Sequence, residues 1–447
     1  MPTTNKRFLF AAILAAGVFL PGALPAETKT LKRVDDPIVM EGREFSSLLH
    51  HPIERLGLMA RHGDSWAPIP FQIDQKKPDG SYIFTGGLEA TKNPDPKLNA
   101  LDELVFMIKD TGGRGAGAKL PEGSETGSEI EITDPINNAK CWVYLFKFSG
   151  QAPRSGEDYV RMKIDPAKKR FQIITYEYTL GGPMDRISPD FLAHVLPNGE
   201  VGPNLLHTIK MRVEVVFVGG ITLRVSADKI VRSHDQGWIA GPIRVLRLAD
   251  GYVQLAGFLR VKGTGYTIVS YFPNHFIWPV VMKAPKVTVK LINKVSEWGF
   301  LDFNENIYGT RVFNAVNPLN PDVVLDGHMS EAEQKLDTHS PINWIAGFGP
   351  QLAIVNRLFY TPPLIDNIIK RTTYYLDDAT GKDPSEDNPR VHGVGYYLTD
   401  VEKALPAGAA TQNLYFYFKS KLAPEDVNQI LDIIDHPVEI KVRDFPS

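Results

Sequence analysis

The stretch from His207 to Asn293 constrains the fold more than any other, because it is an almost unbroken series of strand patterns parted by turn residues. In TIKMRVEVVFV, Met211, Val213, Val215 and Phe217 fall on one face and Arg212, Glu214 and Val216 on the other, the period of two that a pleated strand imposes. Gly219-Gly220 reads as a tight turn into ITLRVSA. After a polar break at SHDQGW come GPIRVLRL, GYVQLAGFLRV, YTIVSYF, FIWPVVM and KVTVKLIN, separated by turn chemistry at Ala249-Asp250-Gly251, Lys262-Gly263-Thr264-Gly265 and Pro273-Asn274. Strands joined by turns this short run antiparallel. The expected fold is mainly β, a large antiparallel β-sandwich with few short helices.

Upstream, Pro70 to Asp74 reads as a short strand, and Leu101 to Ile108 as a buried strand entered through Asp102 and Glu103, whose carboxylates suit loop amides. Gly113-x-Gly115-x-x-Ala118 is half of a dinucleotide fingerprint. Pro121, Gly123 and Gly127 forbid the helix whose first amides would face a pyrophosphate, so a loop is expected there. Residues 183–206 read as a loop with one helical turn at PDFLAHVL. From Ser296 to Gly349 strand periodicity is weak, with one helix at Ser330-Glu331-Ala332-Glu333-Gln334-Lys335. A final helix starts at Pro424 and stops before Pro437, and VEIKV follows as a strand. The division expected is a leader at 1–26, a smaller β region with long loops at 27–129, and the sandwich at 130–445.

Lys6-Arg7, the apolar run Phe8 to Leu20 and the small-residue end at Pro25-Ala26 have the pattern of a secretory signal peptide cut after Ala26. Its thirteen apolar residues fall short of the roughly 17–25 that a membrane span needs. The expected location is the periplasm or the outside of the cell. The formal charge is −3, and loss of Lys6 and Arg7 makes it more negative by two, which does not suit nucleic acid. With Cys141 alone no intrachain disulfide forms, and its place at the start of an aromatic strand reads as a small buried apolar residue.

Asp326-Gly327-His328 and Asp337-Thr338-His339 are the densest polar cluster, imidazole and carboxylate on one long loop, and supply the groups of a general acid and base. The plainer reading has them capping local turns and the helix at Ser330. His275, with Trp278 three residues on, is either an edge platform for a pyranose or a turn histidine beside a core tryptophan. Trp344 lies in the same long loop, 322–345. Arg244 either points outward on a solvated face, the commoner case, or faces inward as half of a buried pair or an anion ligand. Asp377, Asp378, Asp383 and Asp387 form an acidic turn that offers oxygen to calcium, although the spacing departs from the helix-loop-helix site. No other cofactor is expected.

Pro70-Phe71-Gln72-Ile73-Asp74, Asp102-Glu103-Leu104-Val105-Phe106 and Gly241-Pro242-Ile243-Arg244, in that order, resemble a group of secreted bacterial proteins of unknown function. Their fold is similar to the galactose-mutarotase-like supersandwich of polysaccharide lyases. The resemblance implies a two-sheet supersandwich with a concave face toward carbohydrate, and it places no catalytic residue. Two functions follow as expectations. One is a carbohydrate-active or glycan-binding protein, a lyase, epimerase or binder, with His275, His328, His339, Asp326 and Asp337 as catalytic candidates and Arg244, Trp278 and Trp344 against an oligosaccharide. The other is a non-catalytic periplasmic or outer-membrane accessory protein whose sheet docks an envelope protein. Neither requires a transmembrane segment. Clustering of His275, His328, His339 and Arg244 about one groove favours the first; their dispersal, with a contiguous exposed apolar patch, favours the second.

Overall fold

The structure, a computed structural model, describes residues 27–445 apart from 93, 116, 197, 227–230, 256–258, 283–289, 362–365, 381–390, 405–409 and 421. The leader expected at 1–26 lies outside the described residues. Five sheets account for the described strands, and their paired strands are antiparallel. Helices are short, the longest being Val427–Asp435.

Two layered bodies follow from where the apolar faces go. In the first, the three-stranded sheet Pro37–Glu41, Glu103–Met107 and Phe71–Asp74 packs on a five-stranded sheet ordered Glu439–Asp444, Ser124–Thr133, Lys140–Phe148, Leu56–His62, Ser65–Pro68. Phe45, Leu58, Leu104, Phe106, Ile130 and Val143 fill the space between, and Cys141 is buried among them. The expected boundary at 129/130 therefore falls inside the strand Ser124–Thr133, and the last described strand returns to this first body.

The second body sets a ten-stranded sheet against a five-stranded one. Ala410–Lys419 lies in the middle of the larger sheet, between Ala353–Thr361 and His275–Met282. The smaller runs Thr222–Ser226, Leu206–Phe217, Ile292–Phe303, Val391–Thr399, Lys370–Asp378. A four-stranded sheet of residues from Val160 to His194 adds Phe171, Ile173 and Leu180 to the same core. Gly86–Gly87 closes one edge of the ten-stranded sheet against Gly237 and Trp238, and a Cβ on Gly86 would lie 2.1 Å from the Trp238 indole nitrogen.

Several expected breaks are strand interiors. SHDQGW lies within Val231–Ala240, with a register slip between Asp235 and Gly237. Ala249-Asp250-Gly251 lies within Val245–Leu255, and Lys262 to Gly265 within Leu259–Tyr271, facing each other where the register slips between Asp250 and Tyr252. Polar and glycine residues mark bulges here as readily as turns. Phe191–His194 is a strand where a helical turn was expected. Ile292–Phe303 is a strand of twelve residues that the sequence hides, because Ser296 and Glu297 are buried along with Val295, Phe300 and Leu301 on both faces. No helix opens after Gly113; the next element is the strand at Ser124.

Candidate functional site

The three segments that carry the resemblance meet at one point. Gln72 accepts hydrogen bonds from the backbone amides of Ile243 (2.9 Å) and Arg244 (2.8 Å), and its own amide donates to Asp74 at 2.8 Å. Arg244 Nε donates to Asp74 at 2.7 Å, and its Nη2 donates to Glu103, which also holds Lys76 and accepts from the Tyr82 hydroxyl at 2.8 Å. Asp102 caps the amides of Lys76 (2.9 Å) and Asn99 (2.7 Å), as its loop position suggested. Burial pushes the Asp74 carboxyl up, against the pull of Arg244. Burial pushes Glu103 up too, but Arg244 and Lys76 outweigh it and hold that carboxyl below its usual range. Arg244 is thus sealed, a clamp between the two bodies, and cannot reach an oligosaccharide from there.

The other sequence candidates are scattered. His275 is fully buried, stacked between Phe272 at 4.7 Å and Tyr417 at 4.5 Å, and its Nδ1 lies 2.7 Å from the Asn274 side-chain oxygen. Burial pushes its pKa down to about 3, so the ring is neutral at physiological pH. Trp278 is a core residue. Trp344 packs edge-on against Phe313 beside the Val427–Asp435 helix. Asp326 accepts from the His328 amide at 3.0 Å, and Asp337 from the amides of His339 and Ser340 at 2.8 Å each. The Ser340 hydroxyl, and then those amides, hold the Asp337 carboxyl down to about 2. Ser330 and Glu333 close a capping box. The two Asp-x-His steps are turn caps with exposed imidazoles, and the structure joins neither to His275 or Arg244.

Asp326 does border an open groove of about 1100 Å³ formed by residues 317–336, together with Asn320, Asp322 and Glu331. Beneath it lies a pair that the sequence did not reveal: Asp377, read there as part of an acidic turn, meets His392 Nδ1 at 2.6 Å on the adjacent strand and accepts from the amides of Asp326 and Gly327. Both side chains are buried, so the pair anchors the groove's rim. Asp383 and Asp387 lie outside the described residues. Among the described residues no three His, Cys, Asp or Glu side chains gather as a metal site requires, and no helix is long and apolar enough to cross a membrane.

What the structure does gather is aliphatic surface. Leu206–Phe217 and Thr222–Ser226 form a hairpin, closed by Gly220 N donating to Phe217 O at 3.0 Å and Phe217 N to Ile221 O at 2.8 Å. Gly219 and Gly220 take φ of +93° and +85°, which a side chain resists. Val218 N donates to Leu291 O at 2.9 Å, which brings a second turn alongside. Val218, Ile221, Leu223 and Leu291 are each about half or more exposed, four of the eleven exposed large hydrophobics among the described residues, at one end of one sheet. Exposed Lys290 and Lys294 flank them, and Arg224 pairs with Glu214 at 2.7 Å. An apolar turn was visible in the sequence as Val218 and Ile221 about the glycine pair; it reads as strand ends until the exposure of those side chains is known. Compared with known proteins, the chain matches no family model and no curated relative.

Proposed function

We propose that this chain is an exported, non-catalytic accessory protein that docks on a lipid surface through the hairpin tip at Val218 to Leu223 and the adjoining Leu291. The carrying observation is the set of exposed aliphatic side chains at one end of a sheet, flanked by lysines. Protein interfaces draw on Trp, Tyr and Arg anchors in pockets. A turn whose exposed side chains are Val, Ile and Leu suits a fluid acyl boundary, where each buried aliphatic side chain contributes roughly 1.5–3 kcal/mol. Four side chains that are about half exposed give roughly 3–6 kcal/mol, and basic residues near an anionic surface add about 1 kcal/mol each. That supports weak, reversible attachment. Dispersal of His275, His328, His339 and Arg244 supports this reading.

Cosedimentation with phosphatidylglycerol–phosphatidylcholine vesicles tests it. The native protein is expected to bind, more weakly to pure phosphatidylcholine, and Val218→Asp with Ile221→Asp to bind at least tenfold more weakly with unchanged thermal unfolding. Vesicle binding that is absent, or indifferent to both substitutions, refutes the reading.

A second reading, glycan binding, is favoured by the groove at 317–336, whose Asn320, Asp322, Asp326 and Glu331 offer hydrogen bonds to hydroxyls. Thermal unfolding with uronic and neutral oligosaccharides tests this, and a rise that disappears in Asp326→Ala would support it.

A further inference from the structure

Thr222–Ser226 is the last strand of the five-stranded sheet, and among the described residues no strand lies beyond it. The direction of its backbone groups follows from the hairpin. Phe217 N donates to Ile221 O at 2.8 Å, and Val218 N turns the other way to Leu291 O at 2.9 Å. Backbone groups alternate sides along a strand, and the register sets Val216 opposite Thr222 and Val215 opposite Leu223. The amides and carbonyls of Ile221 and Leu223 therefore face Leu206–Phe217, and those of Thr222 and Arg224 face away from the sheet. Ile221, Thr222, Leu223 and Arg224 are all exposed, and as consecutive residues they present both faces of the strand, so the edge between those faces is open to solvent as well.

Natural sheets blunt such edges with lysine, proline, a bulge or an inward charge. The segment TLRVS has no lysine or proline, and its register with Leu206–Phe217 runs without a slip. Its one charge, Arg224, is drawn back over the sheet by Glu214 at 2.7 Å. An edge left this plain is a template for another extended segment, and its own sequence fits it.

Two copies meeting antiparallel about a two-fold axis at Leu223 set each Thr222 opposite Arg224 of the second copy, with the outward groups of both residues aligned for about four backbone hydrogen bonds in all. The two Leu223 side chains then oppose each other in a non-hydrogen-bonded pair, the closer kind, with a Cα separation of about 4.5 Å. An axis at Arg224 would set two guanidinium groups face to face. An axis at Thr222 would set Arg224 against Gly220, whose amide is already bonded to Phe217 O.

We infer that Thr222–Ser226 is a homodimerisation edge, which pairs antiparallel with the same strand of a second copy about Leu223 and joins two five-stranded sheets into one. The pairing stands without the lipid-docking reading; its consequence rests on that reading. The dimer covers Leu223 and lays the two turns at opposite ends of the paired strands, where at most one can meet a flat bilayer. Self-association therefore competes with docking, and the monomer is the form that docks.

Sedimentation velocity on the whole protein across a concentration series tests the pairing. The native chain is expected to pass from monomer to twice that mass in the micromolar range. Thr222→Pro removes an outward amide that the sheet does not use and should remain monomeric with unchanged thermal unfolding. Leu223→Cys under a mild oxidant should form a disulfide-linked dimer, because about 4.5 Å lies within the roughly 4.4–6.8 Å that a disulfide spans, and Thr222→Cys should not. Cys141 is buried and does not compete. A native chain that stays monomeric, a dimer that Thr222→Pro leaves intact, or cross-linking of Thr222→Cys in place of Leu223→Cys overturns the pairing. Should Thr222→Pro fail to fold, the two cysteine variants decide alone. At a concentration where the native protein is dimeric, vesicles should retain several times more Thr222→Pro than native chain, and equal retention overturns the competition. No vesicle binding by either chain, with the mass still doubling, upholds the pairing and refutes the docking reading.

Discussion

Arg244→Met is the most informative single change, because it removes the charge and keeps much of the volume. In the native protein Arg244 meets Asp74 at 2.7 Å and also Glu103, with both carboxylates nearly inaccessible to solvent. Methionine leaves them buried together with only Lys76, the Tyr82 hydroxyl and the Gln72 amide as partners. Breaking a buried pair from one side costs about 3–5 kcal/mol, chiefly the price of an uncompensated buried charge. In a body of this size that is a fall in Tm of roughly 6–20 °C. The pH dependence identifies the cause. Asp74 already has a folded pKa above its usual value, so the native state binds more protons than the unfolded one and this group's contribution falls as pH rises through that range. Without Arg244 the Glu103 carboxyl moves upward as well, since the charge that outweighed its burial is gone. The deficit of the variant is therefore expected to be full near pH 7.5 and to shrink by half or more near pH 4.5, as the carboxylates take up protons. Urea unfolding followed by far-UV circular dichroism at both pH values measures it. A loss under about 1 kcal/mol, or one equal at the two pH values, would show that the clamp is not held by buried charge.

Three further outcomes are expected. Glu297→Gln should flatten the stability profile: the native carboxyl is raised to about 7, so the wild type loses on the order of 3 kcal/mol as pH climbs from 4.5 through 7, and the variant, which cannot titrate, should not. Gly299→Ala adds a methyl into open space and restricts the unfolded chain, so chemical denaturation should show a gain of about 0.4–1 kcal/mol. Burial pushes the Cys141 thiol up to about 11, and a disulfide reagent at pH 8 should label it about 100-fold more slowly in the native protein than in urea.

Local patterns carried much of the architecture. The alternation of TIKMRVEVVFV, the glycine turn at 219–220, the proline-started helix near 427 and its following strand are all read within a few residues, because turn and cap chemistry is local. The clamp was not legible in the same way. Arg244 was seen to need a carboxylate if it turned inward, but its partners lie 170 and 141 residues away in sequence, and only strand register brings them to it. Glu297 was missed for a different reason: with both faces of its strand buried, the period of two disappears. The Asp-x-His steps carried a chemical suggestion that geometry answers locally, each carboxylate being occupied by the amides that follow it.

The strand Glu439–Asp444 carries the last step of the argument, since it pairs along its whole length with Ser124–Thr133 in the first body. Its Arg443 lies 3.7 Å from buried Glu129 and 3.6 Å from buried Glu131, and Phe445 inserts beside Phe146 and Tyr144. The five-stranded sheet of the first body therefore cannot be completed until residues 439–445 have been synthesised. Removing residues 438–447 would turn Ser124–Thr133 into an edge strand with unpaired amides and carbonyls, a template for association with other chains. Hydrogen exchange should then show protection lost across 124–133 and retained across 410–419, where Ala410–Lys419 keeps both of its neighbours in the ten-stranded sheet. Glu129 and Glu131 keep Arg114 and Lys140 in the truncated chain, so buried charge alone does not account for the loss. If 124–133 stays as protected as in the whole protein, the first body is stable without its last strand, and the Arg244 clamp and the Lys419–Asp35 pair suffice to link the bodies.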